Sequence, residues 1–411
     1  MNLLILLNYI LIVFSSVLLT ERILQSFVYS VVIICALYAF RFYEYIDDLR
    51  ESIIRSIVGI LSGSLFILLV CKLFKDSYCS WKLALLMVAL AVVFPVVNYI
   101  FAKTLQKNRN TIKYLVVGNR EELFTLLKEI EEKSKGRYRF VDYINPSPVV
   151  FKEKVKHFDN IIIAAPKLEG KIQEELEQIK QTHKIEYLPN LVEKVLKRIP
   201  LEVMQKFEEY YKVYFDNIEE SPAKRVMDIF FSLIGLVVYS PVILISAIWI
   251  FLEDGKPILF KQQRVGKNEK IFEIVKLRSL RNTKIDVSNP NKDIDQRALK
   301  IGKFIRKTRI DESIQFWLIL KGDMSLVGPR PEMVEYHEMM KPHIPYYTYR
   351  LLVKPGLTGW AQINYKHSST LEEYKIKTEY DLYYVKNRSI FLDLRIILQT
   401  LERLVFKDGA R

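Results

Sequence analysis

Apolar residues crowd the first hundred positions of this chain into four runs, at about residues 2–19, 23–40, 54–74 and 81–102. Each approaches the roughly 20 residues that cross a bilayer as a helix, which predicts a transmembrane four-helix region over 1–107. At Thr111 the pattern changes. Ile112-Lys-Tyr-Leu-Val-Val-Gly118 is a short β-branched run closed by glycine, and Leu123, Leu126, Leu127 and Ile130 recur at helical spacing within Glu121 to Lys133. Asn160 to Ala165 repeats the strand and Glu169 to His183 the helix, so 111–198 reads as a small parallel α/β domain. Gly118 is the one glycine of a would-be dinucleotide fingerprint, because Asn119, Arg120 and Glu121 stand where further glycines would admit a pyrophosphate. The domain is therefore expected to be a degenerate Rossmann-like unit with a structural or regulatory task.

A charged, aromatic linker over 199–220 leads to a different apolar run. Ile229 to Leu252 is long enough to span a membrane, but Ser240-Pro241 stands at its midpoint, and proline removes a backbone donor and crowds the preceding turn. Lys224 and Arg225 precede the run, and Lys256, Lys261, Arg264, Lys267 and Lys270 follow it. Positive residues mark the cytoplasmic side. Of a kinked spanning helix and a re-entrant helix, about 225–252, that leaves on the face it entered, basic residues at both ends favour the second. The remainder of 221–411 is expected to be a mostly helical α/β domain, with a strand at Phe272 to Val275 and amphipathic segments at Ile314 to Leu320 and Leu392 to Phe406.

Lys and Arg outnumber Asp and Glu by 61 to 47, a net charge of +14 that favours anionic partners. Beside membrane segments, phospholipid headgroups and phosphorylated substrates fit that excess better than nucleic acid does. A cytoplasmic basic tail from Lys103 to Lys113 and four crossings would place the N-terminus inside as well, while the loop charges nearly balance. Cys35, Cys71 and Cys79 form no C-x-x-C pair and read as unpaired thiols, and the histidines show no metal-ligand spacing. The start of the chain lacks the basic n-region and cleavage site of a signal peptide.

The chemistry concentrates between Gly302 and Pro331. Two adjacent carboxylates, Asp311 and Glu312, follow the cations Arg306, Lys307 and Arg309 and precede the apolar run Phe316 to Leu320. Near a helix start, one carboxylate can face a substrate while the other shares a divalent ion, and the helix dipole favours both charges. An acidic pair alone is more often ordinary surface charge. Arg330 lies between two prolines in Gly328-Pro329-Arg330-Pro331, and a stiff loop lowers the entropy lost when a guanidinium grips a phosphate. Lys276, Arg278 and Arg281 form a second basic cluster. Lys354 to Asn364 is turn-rich, with aromatic and amide groups suited to a base or sugar.

Eight segments then occur in one order: Lys224-Arg225-x-x-Asp228, Ser240-Pro241, Phe260 to Gly266, Lys276 to Ser279, Asp311-Glu312, Gly322 to Pro331, Lys354 to Asn364 and Asp381 to Arg388. In this the chain resembles the bacterial sugar transferases, the monotopic polyprenyl-phosphate glycosyl-1-phosphate transferases. With its N-terminal apolar runs and α/β domain it resembles their large form, which starts exopolysaccharide, capsule or O-antigen assembly. The resemblance implies an enzyme of the bacterial inner membrane with its catalytic domain on the cytoplasmic face. It would move a sugar-1-phosphate from a UDP-sugar to undecaprenyl phosphate, releasing UMP. Asp311 would be the nucleophile, with Glu312 and Asp311 holding magnesium, and Ser240-Pro241 would break the membrane helix. Lys276, Arg278, Arg306, Arg330, Gln362, Lys366 and Asp381 would bind substrate. Ser313-Ile314 and Tyr365-Lys366 depart from the family's usual Leu-Pro and Gly-Arg. A homodimer is open, and a silent membrane scaffold is the rival reading.

Overall fold

The computed structural model describes the chain apart from residues 1, 21, 41, 45, 47, 75–80, 108–110, 146, 282–296, 366, 367, 369 and 407–411. It is a mostly helical α/β protein with apolar helices and a parallel sheet, and it divides into two compact units, residues 1–110 with 394–406, and residues 111–393.

The first unit is built on α1 (Asn2–Thr20), α2 (Ile23–Ala39), α3 (Leu49–Phe74) and α4 (Trp81–Lys107). Residues 49–72 are long and apolar enough to cross a membrane, and 4–18, 23–38 and 88–101 are shorter apolar stretches. Ile12, Tyr29, Ile33, Leu37, Ile60 and Phe94 pack inward, while Leu18, Leu24 and Val88 stay exposed. Polar pairs lie inside this packing. Asn8 Nδ2 donates to Asn98 Oδ1 at 2.8 Å, and Ser16 Oγ donates to Ser26 Oγ at 3.0 Å, the kind of contact that fixes apolar helices in register. Cys35 is a free thiol. Cys71 is disulfide-bonded, which corrects the expectation of unpaired thiols: C-x-x-C spacing reports metal and redox sites and is blind to bridges between cysteines farther apart.

The second unit begins with a four-stranded, all-parallel sheet in the order β2-β1-β3-β4, made of β1 (Ile112–Val117), β2 (Tyr138–Ile144), β3 (Asn160–Ile163) and β4 (Lys184–Tyr187). Its helices are α5 (Arg120–Lys133), α6 (Pro148–Val155), α7 (Pro166–Glu169), α8 (Gln173–Ile179) and α9 (Leu188–Leu196). The helix expected from Glu169 to His183 is interrupted between α7 and α8 by a 3₁₀ turn at Gly170–Ile172, where glycine is the poorest helix former apart from proline. The linker folds as α10 (Leu201–Lys206) and α11 (Glu208–Asp216), which bury Tyr211 and Phe215.

The long helix α12 (Pro222–Asp254) stays helical through Pro241. Pro241 has no N–H for the Val237 carbonyl four residues back, and the Ser240 hydroxyl donates to that carbonyl at 2.9 Å. Ser-Pro is thus a break in the hydrogen-bond ladder with its own repair. Next come the antiparallel hairpin β5 (Leu259–Val265) and β6 (Ile271–Leu277), α13 (Lys300–Lys307), α14 (Phe316–Lys321), β7 (Ser325–Val327), α15 (Val334–Met340), β8 (Gly356–Thr358), α16 (Trp360–Asn364), α17 (Leu371–Asn387) and α18 (Ile390–Phe406). The later half of α18 belongs to the first unit, where Glu402 pairs with Arg55 at 3.1 Å.

Candidate active site

Both ends of α12 are fastened to the elements that carry the acidic pair. At its start, Arg225 donates to the carbonyls of Ile319 and Leu320 at 2.6 and 2.7 Å, Lys224 Nζ donates to the Val327 carbonyl at 3.0 Å, and Asp228 Oδ1 accepts from Ser325 Oγ and Leu326 N at 3.0 Å each. At its end, Glu253 accepts from the backbone of Lys300 and Ile301, and Arg278 donates to the carbonyls of Asp254 and Gly255 at 3.0 and 2.9 Å. Lys224-Arg225-x-x-Asp228 is therefore a docking motif.

Asp311 and Glu312 lie in a 3₁₀ turn, Ile310–Gln315, between α13 and α14. Arg309, just before it, has φ +58°, a left-handed conformation that costs a non-glycine residue about 1 kcal/mol. With Ile314 in the place of the family's proline, the turn runs on into α14, and Ser313 Oγ donates to the Ile310 carbonyl at 2.6 Å. Glu312 is buried. Its Oε1 accepts from Lys276 Nζ at 2.6 Å and from Arg330 at 3.2 Å, and Arg309 lies 3.9 Å from Oε2. Burial alone would raise its pKa, but Arg330 and Lys276 overcome that and hold the carboxyl well below the usual range. Asp311 differs. Its Oδ1 is buried without a hydrogen-bond partner, and burial followed by the Glu312 charge pushes its carboxyl up. One carboxylate is neutralised by the protein and its neighbour is left unsatisfied.

The cations are crowded as well. Burial and the charge of Arg330 lower the Arg264 guanidinium, and burial, opposed by Glu312, lowers the Lys276 ammonium. Arg264 donates to the Pro331 carbonyl at 3.1 Å. Additional negative charge would relieve this cluster. The Arg330 loop is held rigidly from behind. A Cβ on Gly328 would come within 2.3 Å of the Lys354 carbonyl oxygen, and one on Gly356 within 2.1 Å of the Gly328 nitrogen. Glycines at both places therefore let Gly-Pro-Arg-Pro lie against Lys354-Pro-Gly, where β7 and β8 pair in parallel.

The residues expected at the site are not all gathered there. Lys276 and Arg330 reach Glu312. Gln362, on α16, borders the Gly328 loop, since a Cβ on Gly359 would stand 3.2 Å from its Oε1 and 2.2 Å from the Gly328 oxygen. Arg306 is half-buried at the end of α13, and its guanidinium is not among the partners of Glu312. Arg278 faces the end of α12. Asp381 is buried beneath the site, where it pairs with Arg350 at 2.9 Å. Lys366 lies outside the described residues. Arg350, Glu332 and Lys377 escaped the sequence reading. Arg350 is 2% exposed and donates to the Arg330 carbonyl at 2.7 Å. Glu332 pairs with Lys377, and against the upward pull of burial Lys377 and Arg350 bring its carboxyl down to about 2. A lone arginine in Tyr346-Tyr-Thr-Tyr-Arg-Leu-Leu-Val353 was the available signal, because a cation in an aromatic and aliphatic run needs a buried partner.

Among the described residues no group of three or more His, Cys, Asp or Glu is placed to hold a metal. Magnesium needs only one or two carboxylates when substrate phosphates supply other ligands, and the unsatisfied Asp311 oxygen beside Glu312 fits that modest demand.

Residues 219–407 match the bacterial sugar transferase family. Over 192 residues the chain is 38% identical to the uncharacterized sugar transferase EpsL of Bacillus subtilis, covering 46% of this chain and 90% of that relative. The chain belongs to the bacterial sugar transferase family. This sugar transferase is also 42% identical over 189 residues to the UDP-N-acetylgalactosamine-undecaprenyl-phosphate N-acetylgalactosaminephosphotransferase of Aeromonas hydrophila, 46% of this chain and 45% of the relative. It is 41% identical over 182 residues to the UDP-glucose:undecaprenyl-phosphate glucose-1-phosphate transferase of Klebsiella pneumoniae, 43% and 39% of the two chains. The match spans less than half the length of these two relatives. The family match over residues 219–407 includes the acidic pair, the Arg330 loop and α12.

Proposed function

We propose that this sugar transferase moves a sugar-1-phosphate from a UDP-sugar to undecaprenyl phosphate and releases UMP, the first membrane step of a polysaccharide. The family match over residues 219–407 takes in the segment that builds the site, and relatives named for such transfers are 42% and 41% identical over 189 and 182 residues. The observation that carries the chemistry is the asymmetry of the pair, with Glu312 clamped by Lys276 and Arg330 and Asp311 left with an unpartnered oxygen. An Asp311 oxygen bonds to the phosphorus next to the sugar as its bond to the UMP oxygen breaks. An oxygen of the lipid phosphate then bonds to that phosphorus and frees the Asp311 carboxylate. Lys276, Arg264 and Arg330 orient the phosphates and neutralise their charge, the main contribution a protein makes to phosphoryl transfer. Magnesium, held by Asp311 and Glu312 with substrate phosphates, would supply further charge neutralisation.

The same reading makes α12 re-entrant and the enzyme a multi-pass protein of the cytoplasmic membrane. A straight helix of this length would extend about 50 Å, and its middle exposes Val237, Val238 and Leu244. Both of its ends bond to one polar domain, which favours return to the side of entry. The Cys71 disulfide supports placing the C-terminal end of α3 outside, since disulfides persist in oxidising compartments. The loop charges left that orientation open.

Asp311→Asn tests the chemistry. With UDP-sugar and undecaprenyl phosphate, UMP release is expected to fall by about 10³-fold or more, the scale of losing a covalent nucleophile. Turnover near that of the unaltered enzyme would refute the covalent route.

A further inference from the structure

Helix α17 is held on two opposite faces. At about 100° per residue, Lys377 and Asp381 share one side, while Glu379 and Lys386 lie roughly half a turn away. On the first side, Lys377 pairs with Glu332, and Asp381 pairs with Arg350, whose NH2 holds the Arg330 carbonyl at 2.7 Å. On the second side, Glu379 and Lys386 are gripped by the sheet domain and the linker. Arg198 pairs with Glu379 and, at 2.6 Å, with Glu129 on α5. The backbone N–H groups of Ile199 and Leu201 donate to the Glu379 carbonyl and carboxylate, both at 3.1 Å. Lys386 Nζ bonds to Glu193 at 2.6 Å and is caged by the rings of Tyr210, Tyr211 and Tyr214 at 4.9, 5.3 and 4.4 Å.

Paired, caged and 7% exposed at its side chain, Lys386 has the cation–π environment that is strongest when desolvated. The Arg198 guanidinium, with a carboxylate on each arm, is fixed in direction as well as charge.

We propose that Arg198 and Lys386 are positioning residues of the transferase: through α17, Asp381 and Arg350 the sheet domain sets the place of Arg330. This gives the domain a task without a bound dinucleotide. The effect on turnover rests on the function proposed above. The mechanical link to the Arg330 loop does not.

Two measurements separate these points. Backbone hydrogen exchange over residues 328–333 is compared in the full-length enzyme, Arg198→Met, Arg198→Lys and Tyr214→Leu. The last removes the nearest ring of the cage from a side chain that is 47% exposed, so it is expected to fold. Arg198→Met should speed exchange in that loop several-fold, Tyr214→Leu less, and Arg198→Lys should restore part of the protection. In the transfer assay, kcat should fall about 10-fold for Arg198→Met with KM within about twofold. That loss should shrink in an Arg350→Lys background, as expected for residues acting in series. Unchanged exchange at 328–333 in a folded Tyr214→Leu and Arg198→Met, or a full additional loss in the Arg350→Lys background, would overturn the proposal. Altered exchange in the variants with no transfer activity even in the unaltered enzyme would uphold the link and refute the transfer reaction instead.

Discussion

Around β1 and β3 of the sheet domain the buried side chains are Leu115, Val117, Ile161 and Ile163, whereas around β7 and α17 of the catalytic region they include Arg350, Glu332 and Asp381. In the sheet domain, pairs such as Lys154 with Asp142 and Lys180 with Glu177 lie at the surface, where an ion pair adds little. The catalytic region has surface pairs too, such as Lys261 with Glu273, but it also carries ion pairs in its interior. Arg350 with Asp381 and Lys276 with Glu312 replace part of the apolar core. Buried pairs of this kind are poor sources of net stability, because desolvation offsets most of the attraction. Their use here is geometric. They fix a guanidinium and a carboxylate where anionic substrates would meet them, and apolar packing could not do so.

That contrast can be broken at a single residue on either side. Arg350→Met strands the buried Asp381 and leaves Glu332 with Lys377 alone, and chemical denaturation should show a loss of about 3–5 kcal/mol together with a fall in transfer. Ile161→Ala, at the centre of the sheet, should cost about 2–5 kcal/mol through lost burial and a cavity. In that variant the surviving folded fraction should keep its pH profile. A large change in the pH profile from Ile161→Ala, or none from Arg350→Met, would erase the distinction.

The smallest effect is the acid limb of the reaction. On the covalent route proposed above, the raised Asp311 carboxyl would have to lose its proton before attack, so the transfer rate should fall as pH drops through a value above the ordinary aspartate pKa of about 3.9. Glu312, held low, stays charged across that window and contributes no limb. A log-rate against pH plot at saturating substrate measures it. A limb at or below the ordinary aspartate value would show that burial does not govern Asp311.

How much could be read in advance follows the same division. The apolar runs that became α1 to α4 and α12, the strands β1 and β3, and the helix α5 were legible because each is a local pattern of burial. The strands β2 and β4 were not. β2 alternates buried with exposed residues, and β4, Lys-Ile-Glu-Tyr, has no fully buried residue, so neither presents the apolar run that marks β1 and β3. At the site, Asp311-Glu312 and Arg330 were visible because adjacency and flanking prolines are sequence facts. Arg278 and Asp381 were grouped with the substrate by motif, yet they face the end of α12 and Arg350.

By itself the sequence determined where the chain is apolar, where proline removes a donor, and that two carboxylates stand side by side after a basic turn. These are properties of neighbours along the chain. Only the tertiary structure decided that Glu312 takes Lys276 and Arg330 while Asp311 keeps a free oxygen, and that Arg350 joins Asp381 to the Arg330 loop. The partners are separated by 36, 18 and 31 residues along the chain. Which charge is buried against which depends on how the fold removes water from both, and no local pattern carries that information.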